Sequence, residues 1–82
     1  MNQQLIFNHD FYYDSARDAV GFSCLQAGLR LTAFIARPDN TLPADWLAKI
    51  KADAFDWEDA AEQAVAAEGW NAAGEFWLPV TG

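Results

Sequence analysis

The sequence predicts an α+β fold: an antiparallel sheet of about four strands with two helices packed on one face, in the order β-β-β-α-α-β. Three observations predict it. Short β-prone apolar runs occupy the first half, two segments with apolar residues at helical spacing follow, and one more apolar run closes the chain. The 82 residues, 52% hydrophobic and 15% aromatic, are read as a single domain over 1–82. A chain of that length buries roughly 63% of its unfolded surface, enough for a small core without a metal or disulfide.

Leu5-Ile6-Phe7 is short, apolar and β-prone, and Asn8-His9-Asp10 is turn chemistry. Phe11-Tyr12-Tyr13 reads either as a second short strand or as an aromatic cover, and Asp14 to Asp18 as a turn. Ala19–Leu25 and Arg30–Ala36 form the arms of a hairpin around Gln26-Ala27-Gly28-Leu29, where Gly28 accepts a positive φ. Placing Leu25 opposite Arg30 gathers Val20, Phe22, Cys24, Leu31, Ala33 and Ile35 on one apolar face. Shifting by one residue mixes Arg30 and Thr32 with Phe22 and Cys24, so the first register is favoured.

Pro38 ends the second arm, since it has no N–H for a central ladder. A helix is expected next, with Thr41 as N-cap, Pro43 in its first turn and Trp46, Leu47, Ile50 and Ala54 on its inner stripe. A second helix is expected from Asp56, capped by that residue with Asp59 at the third helical position, and stopping at Gly69 as the C′ residue. Its stripe is Trp57, Ala60 or Ala61, Ala64 and Val65. Asn71–Gly74 is a turn before a last strand at Glu75-Phe76-Trp77-Leu78, with Phe76, Leu78 and Val80 inward and Pro79 marking its end or an edge.

Twelve carboxylates against five cations give a formal charge of -7. Residues 44–75 hold eight acids and two lysines, while 1–43 hold four acids and three arginines, so the charge lies in the helical half. That balance disfavours direct nucleic-acid binding and docking on an anionic membrane, both of which draw on clustered Lys and Arg. One cysteine, Cys24, closes no internal disulfide, and with the lone His9 it builds no zinc site; no cofactor or metal is expected. Met1 to Phe7 has no positive n-region and only a three-residue apolar run, so neither a signal peptide nor an anchor is expected there. A cytoplasmic setting follows as the expectation.

Tyr13-Asp14, Arg17, Val20 and Phe22, followed by the hairpin from Gly28 to Ile35, resemble a small bacterial family known as domain of unknown function 1488. Phe55-Asp56, the Ala/Glu helix and Gly74-Glu75-Phe76 resemble its C-terminal half. The sequence departs from that pattern between Arg37 and Ala54, where it is shorter, and at Gly21, where larger residues are usual. The resemblance implies a fold and a cytoplasmic setting, and carries over no catalytic or binding residue.

The chemistry-bearing residues favour structural roles. His9 beside Asp10 is the one acid–base dyad on offer, and neighbours in a turn rarely orient each other for catalysis. Cys24 on an inward strand position is a small core residue, and Arg17 between Asp14 and Asp18 is an ion-paired turn residue. No catalytic residue is assigned and the chain is read as no enzyme. Asp56 and Asp59 act as caps, with Glu58 and Glu62 on a shared exposed face.

Two candidate surfaces remain. Tyr12, Phe34, Trp70 and Trp77 form an aromatic patch on the outer sheet face, while Trp46 and Trp57 are core. Glu58, Asp59 and Glu62 form an acidic helix face. The leading expectation is a non-enzymatic module that binds a protein partner or forms a homodimer through the outer face or a sheet edge. The alternative is an acidic inhibitor or regulator whose carboxylates stand in for phosphates on the nucleic-acid-binding surface of another protein.

Overall fold

A computed structural model describes residues 5–80. Residues 1–4, part of the stretch read as lacking a leader, and 81–82 lie outside the described residues. The elements are β1 (Leu5–Phe7), β2 (Tyr12–Asp14), β3 (Ala19–Gln26), β4 (Leu29–Ala36), α1 (Pro43–Ala52), α2 (Ala54–Ala66) and β5 (Glu75–Leu78).

The β3–β4 hairpin is the centre of the sheet, and its register is the one the alternation selects: Leu25 pairs with Arg30 and Gln26 with Leu29. Ala27 (φ 52°) and Gly28 (φ 84°) are the two loop residues. Both are left-handed, which matches the primed turns whose twist suits adjoining strands. Val20, Phe22, Cys24, Leu31, Ala33 and Ile35 are buried together on the inner face.

β1 and β2 both pair antiparallel with β3 and share one sheet edge. Phe7 faces Cys24 and Tyr12 faces Gly21, so the four residues 8–11 span the two positions of Ser23 and Phe22. This double insertion keeps the side-chain alternation in phase. Leu5, Phe7, Phe11 and Tyr13 pack on the core, and the rings of Phe11 and Phe22 lie 4.8 Å apart. Asp10 mends the interrupted ladder. The Ser23 N–H donates to Asp10 Oδ1 at 2.8 Å and the Ser23 hydroxyl to Oδ2 at 2.6 Å, while the Asn8 N–H donates to the Ser23 carbonyl at 3.2 Å.

The sheet is mixed rather than wholly antiparallel, because β5 lies parallel to β4, with Ala33 beside Phe76 and Ile35 beside Leu78. The two helices return the chain to the end at which β4 began, and such a crossover delivers a parallel strand. The sheet has five strand segments, one more than the expected order names, since residues 5–7 and 12–14 are separate.

Both helix starts differ from expectation. α1 begins at Pro43, with Leu42 as N-cap and no side-chain cap; Thr41 stands one residue upstream. α2 begins at Ala54, two residues before Asp56. The single residue Asp53 joins the helices: its N–H donates to the carbonyls of Lys49 and Ile50, and its carbonyl accepts from the N–H groups of Asp56 and Trp57. The backbone itself satisfies these helix-end groups, so the capping box at Asp56 does not form.

α2 ends in a Schellman motif. The Gly69 N–H donates to the Ala64 carbonyl at 3.0 Å and the Glu68 N–H to the Val65 carbonyl at 2.8 Å. The left-handed residue is Glu68 (φ 56°), not the expected Gly69. Trp46, Ile50, Ala61 and Val65 bring both helices onto the inner sheet face, with Phe76 and Leu78 completing the core.

Candidate interaction surfaces

The outer sheet face carries no helix, and its aromatic row follows directly from strand register. Tyr12 pairs with Gly21, Gly21 with Phe34, and Phe34 with Trp77, so these four positions cross the sheet side by side. Gly21 supplies the space. A Cβ there would lie 2.8 Å from Cζ and the hydroxyl oxygen of Tyr12 and 3.0 Å from Cε1 of Phe34, so the Tyr12 ring lies across the glycine.

Phe34 is only 2% exposed despite facing away from the core. Its ring centroid lies 5.3 Å from that of Trp77, and the Arg17 guanidinium carbon sits 4.6 Å from the Phe34 centroid, within cation–π range. Arg17 donates to Asp14 Oδ2 at 2.9 Å and to Glu75 Oε2 at 2.7 Å. It pairs with Asp14 as expected, but its second partner is Glu75 on β5 rather than Asp18. Asp18 instead accepts from Arg37 Nε at 2.7 Å and Nη2 at 3.1 Å, and from the Tyr13 hydroxyl.

The large apolar side chains open to solvent on this face are Trp77, 50% exposed, and Tyr12, 39% exposed, with Ile6, 59% exposed, on β1. Trp70 is not part of it: the residue is half-buried against the inner core, and the expectation that placed it outside is corrected. It follows the end of α2, on the helix side of the sheet, and no strand alternation governs it. The β5 edge is partly closed by the preceding loop, where Asn71 Oδ1 accepts from the Glu75 N–H at 3.0 Å and the Asn71 N–H donates to the Glu75 carbonyl at 2.9 Å.

The acidic helix face also changes. Glu58 is 8% exposed and sits on the buried stripe of α2 with Ala61 and Val65, so it does not share an exposed face with Glu62. Its Oε2 lies 3.1 Å from Nδ1 of His9, yet makes no well-formed hydrogen bond among the described residues. His9 reaches it from the edge bulge, where its φ is 56°. The expected His9–Asp10 neighbours are therefore divided, one serving α2 and the other Ser23. Asp59 and Glu62 are exposed, and Asp56, Asp59 and Glu62 have no cationic partner among the described residues. All three arginines, in contrast, stand by sheet-side carboxylates, Arg30 with Asp10 at 3.9 Å.

Protonation follows these contacts. Burial opposes ionisation of Asp10, but the Ser23 hydrogen bonds prevail and hold its carboxyl below the ordinary range. The Arg17 N–H does the same for Asp14, and the Arg37 guanidinium, with the Tyr13 hydroxyl, for Asp18. Burial pushes the Cys24 thiol up to about 11, which withholds the reactive thiolate.

A cleft of about 410 Å³ opens between the two helices and the segment after β5, over Trp46, Trp57, Ala60 and Val80. Val80 lines this cleft and is exposed rather than inward. Sequence spacing assigned both tryptophans to the core; Trp57 is only half-buried, and its open edge was not legible from periodicity. Neither this cleft nor a smaller one of about 210 Å³ beside Leu5 and Val65 is lined by His9 or Cys24. No described helix is long and apolar enough to cross a membrane, and the described residues hold no group of three or more His, Cys, Asp or Glu suited to a metal ion.

Comparison with known proteins agrees with this architecture. The family model described as "Protein of unknown function (DUF1488)" matches residues 5–78. A crystal structure of a protein of unknown function from the same family, from Shewanella loihica PV-4, superposes with a TM-score of 0.82 at 22% identity, covering 95% of this chain and 94% of that one. No curated protein matches the chain.

Proposed function

The chain belongs to the DUF1488 family of proteins of unknown function, and we propose that it is a non-enzymatic interaction module that self-associates through its outer sheet face. The observation that carries this reading is Trp77, half exposed beside Phe34 on a sheet face without a helix, with Tyr12 at the far end of the same row. Exposed aromatics and arginine are enriched at protein interfaces. Electrostatics support the same face. Two copies carrying -7 each repel, but on this face the carboxylates of Asp14 and Glu75 share Arg17, which offsets part of their charge where a second copy would meet them. Burial of the Cys24 thiol, which withholds its thiolate, supports the non-enzymatic reading.

Sedimentation velocity at about 100 µM, where even a weak dimer is populated, tests the reading. The wild-type chain is expected to sediment as a dimer and Trp77→Ser as a folded monomer. A wild-type monomer at that concentration would falsify it. A second reading, an acidic regulator seated on a nucleic-acid-binding surface of another protein, draws its support from Asp56, Asp59 and Glu62, which no cation of the described residues neutralises.

A further inference from the structure

The cleft between the helices sets aromatic surface beside a single uncompensated charge. Trp46 is the deeper of its two tryptophans, 4% exposed, and its Nε1–H donates to the Ile35 carbonyl at 3.4 Å, so the surface it gives the cleft offers no donor. Trp57 is half-buried and Val80 exposed, and both present apolar surface to an incoming molecule. The charged lining is Lys49, Asp53 and Asp56. Lys49 stands 3.8 Å from Asp53, while Asp56 has no cationic partner among the described residues. Asp59 lines neither cleft, and Glu62 lines the smaller one beside Leu5 and Val65, so the unmatched charge at this cleft is that of Asp56 alone.

These properties select one chemistry. A volume of about 410 Å³ lies toward the small end of sites for organic ligands. An anion finds no free cation here, because Lys49 already stands by Asp53. An inorganic cation calls for several oxygen ligands and gains nothing from an apolar wall. We propose that the cleft binds a small organic monocation, an ammonium group on an apolar body, as a free molecule. Its charge lies by Asp56 and within reach of the tryptophans, indole being the ring that attracts cations most strongly, and its body covers Trp57 and Val80. One carboxylate and a cleft of this size offer no further hold to a flanking chain, which is why a free molecule is assigned. The inference rests on neither reading above, since the helix layer carries it and the outer sheet face takes no part.

The test is an NMR titration of the isotope-labelled full chain with benzyltrimethylammonium, read on the backbone and indole N–H resonances. Phenylbutanol is the uncharged compound of similar size and phenylbutyrate the anion. Asp56→Asn removes the charge and keeps the shape of the side chain, Trp57→Leu removes the ring and keeps apolar bulk, and Glu62→Gln removes an acid that lies off this cleft. Circular dichroism verifies that all three remain folded.

Saturable shifts centred on Trp57 and Val80 are expected, with half-saturation at about 1 mM, the order for a ligand of this size. Asp56→Asn and Trp57→Leu are each expected to weaken binding about fivefold or more, with Glu62→Gln binding as wild type, phenylbutanol about fivefold more weakly than the cation, and phenylbutyrate not at all. Absence of a saturable shift up to about 20 mM overturns the inference. Equal binding of the cation and phenylbutanol, or equal losses in Asp56→Asn and Glu62→Gln, overturns the assignment to a cation. A short peptide carrying one trimethyllysine that binds about tenfold more tightly than benzyltrimethylammonium overturns the assignment to a free molecule.

Discussion

Gly21 is the residue on which the outer face turns, because the Tyr12 ring occupies the place of its missing side chain. Gly21→Ala is expected to displace that ring and lower stability by about 1–2 kcal/mol, as overpacking does. In a Tyr12→Ala background the same substitution should cost far less, and urea midpoints of the four proteins measure that coupling. Glu68 offers the opposite case. It holds a left-handed φ of 56° at the Schellman position of α2. Such a φ burdens any residue with a Cβ, so Glu68→Gly should raise stability by about 0.5–1 kcal/mol in thermal or urea unfolding. The sequence placed a glycine within one residue of this position. A cap that accepts two neighbouring offsets cannot be placed more finely by composition alone.

Among the elements, the hairpin was the most legible, since only one register keeps Arg30 and Thr32 away from Phe22 and Cys24. The direction of β5 was not, because alternation over Glu75–Leu78 reads the same in a parallel and an antiparallel pair. Glu58 escaped for another reason: on a helix of mostly alanine and acid, a small rotation of the buried stripe costs little apolar area, and its charge argued for solvent. Trp77 was placed outside correctly by parity with buried Phe76 and Leu78, whereas loop residue Trp70 had no parity to follow. The edge bulge gives a direct prediction. Asp10→Ala leaves the buried N–H and hydroxyl of Ser23 without their carboxylate partner, and should cost about 1–3 kcal/mol in urea unfolding. Asp10, Asp14 and Asp18 all ionise at lower pH when folded than ordinary carboxyls do. Their contribution is therefore complete above the unfolded value of about 3.9 and is lost as pH falls through the folded values. The urea midpoint should drop between pH 5 and pH 2, roughly the span over which such depressed carboxyls take up protons, with a smaller drop in Asp18→Asn.

For the whole molecule, charge divides along the two layers. The arginines stand by acids on the sheet side, and the carboxylates left without cations lie on α2. Salt should therefore act in opposite senses on the two proposed contacts. Screening weakens repulsion between copies of net charge -7 and favours self-association, while it weakens attraction between α2 and a basic partner. Sedimentation of the chain, and fluorescence anisotropy of a labelled oligolysine mixed with it, at low and at high salt measure the two trends, and a common direction would contradict this division. The parallel pairing of β5 has a consequence for the order in which surfaces come into being. Phe34 and Gly21 lie in the central hairpin, but Trp77 and Glu75 reach them only after the whole helical layer has been laid down between β4 and β5. Contacts across so long a loop carry a larger closure cost than those within the hairpin. The aromatic face is thus complete only in a chain whose β5 has docked, and a partner that recognises Trp77 beside Phe34 distinguishes that state from one in which the hairpin alone has formed.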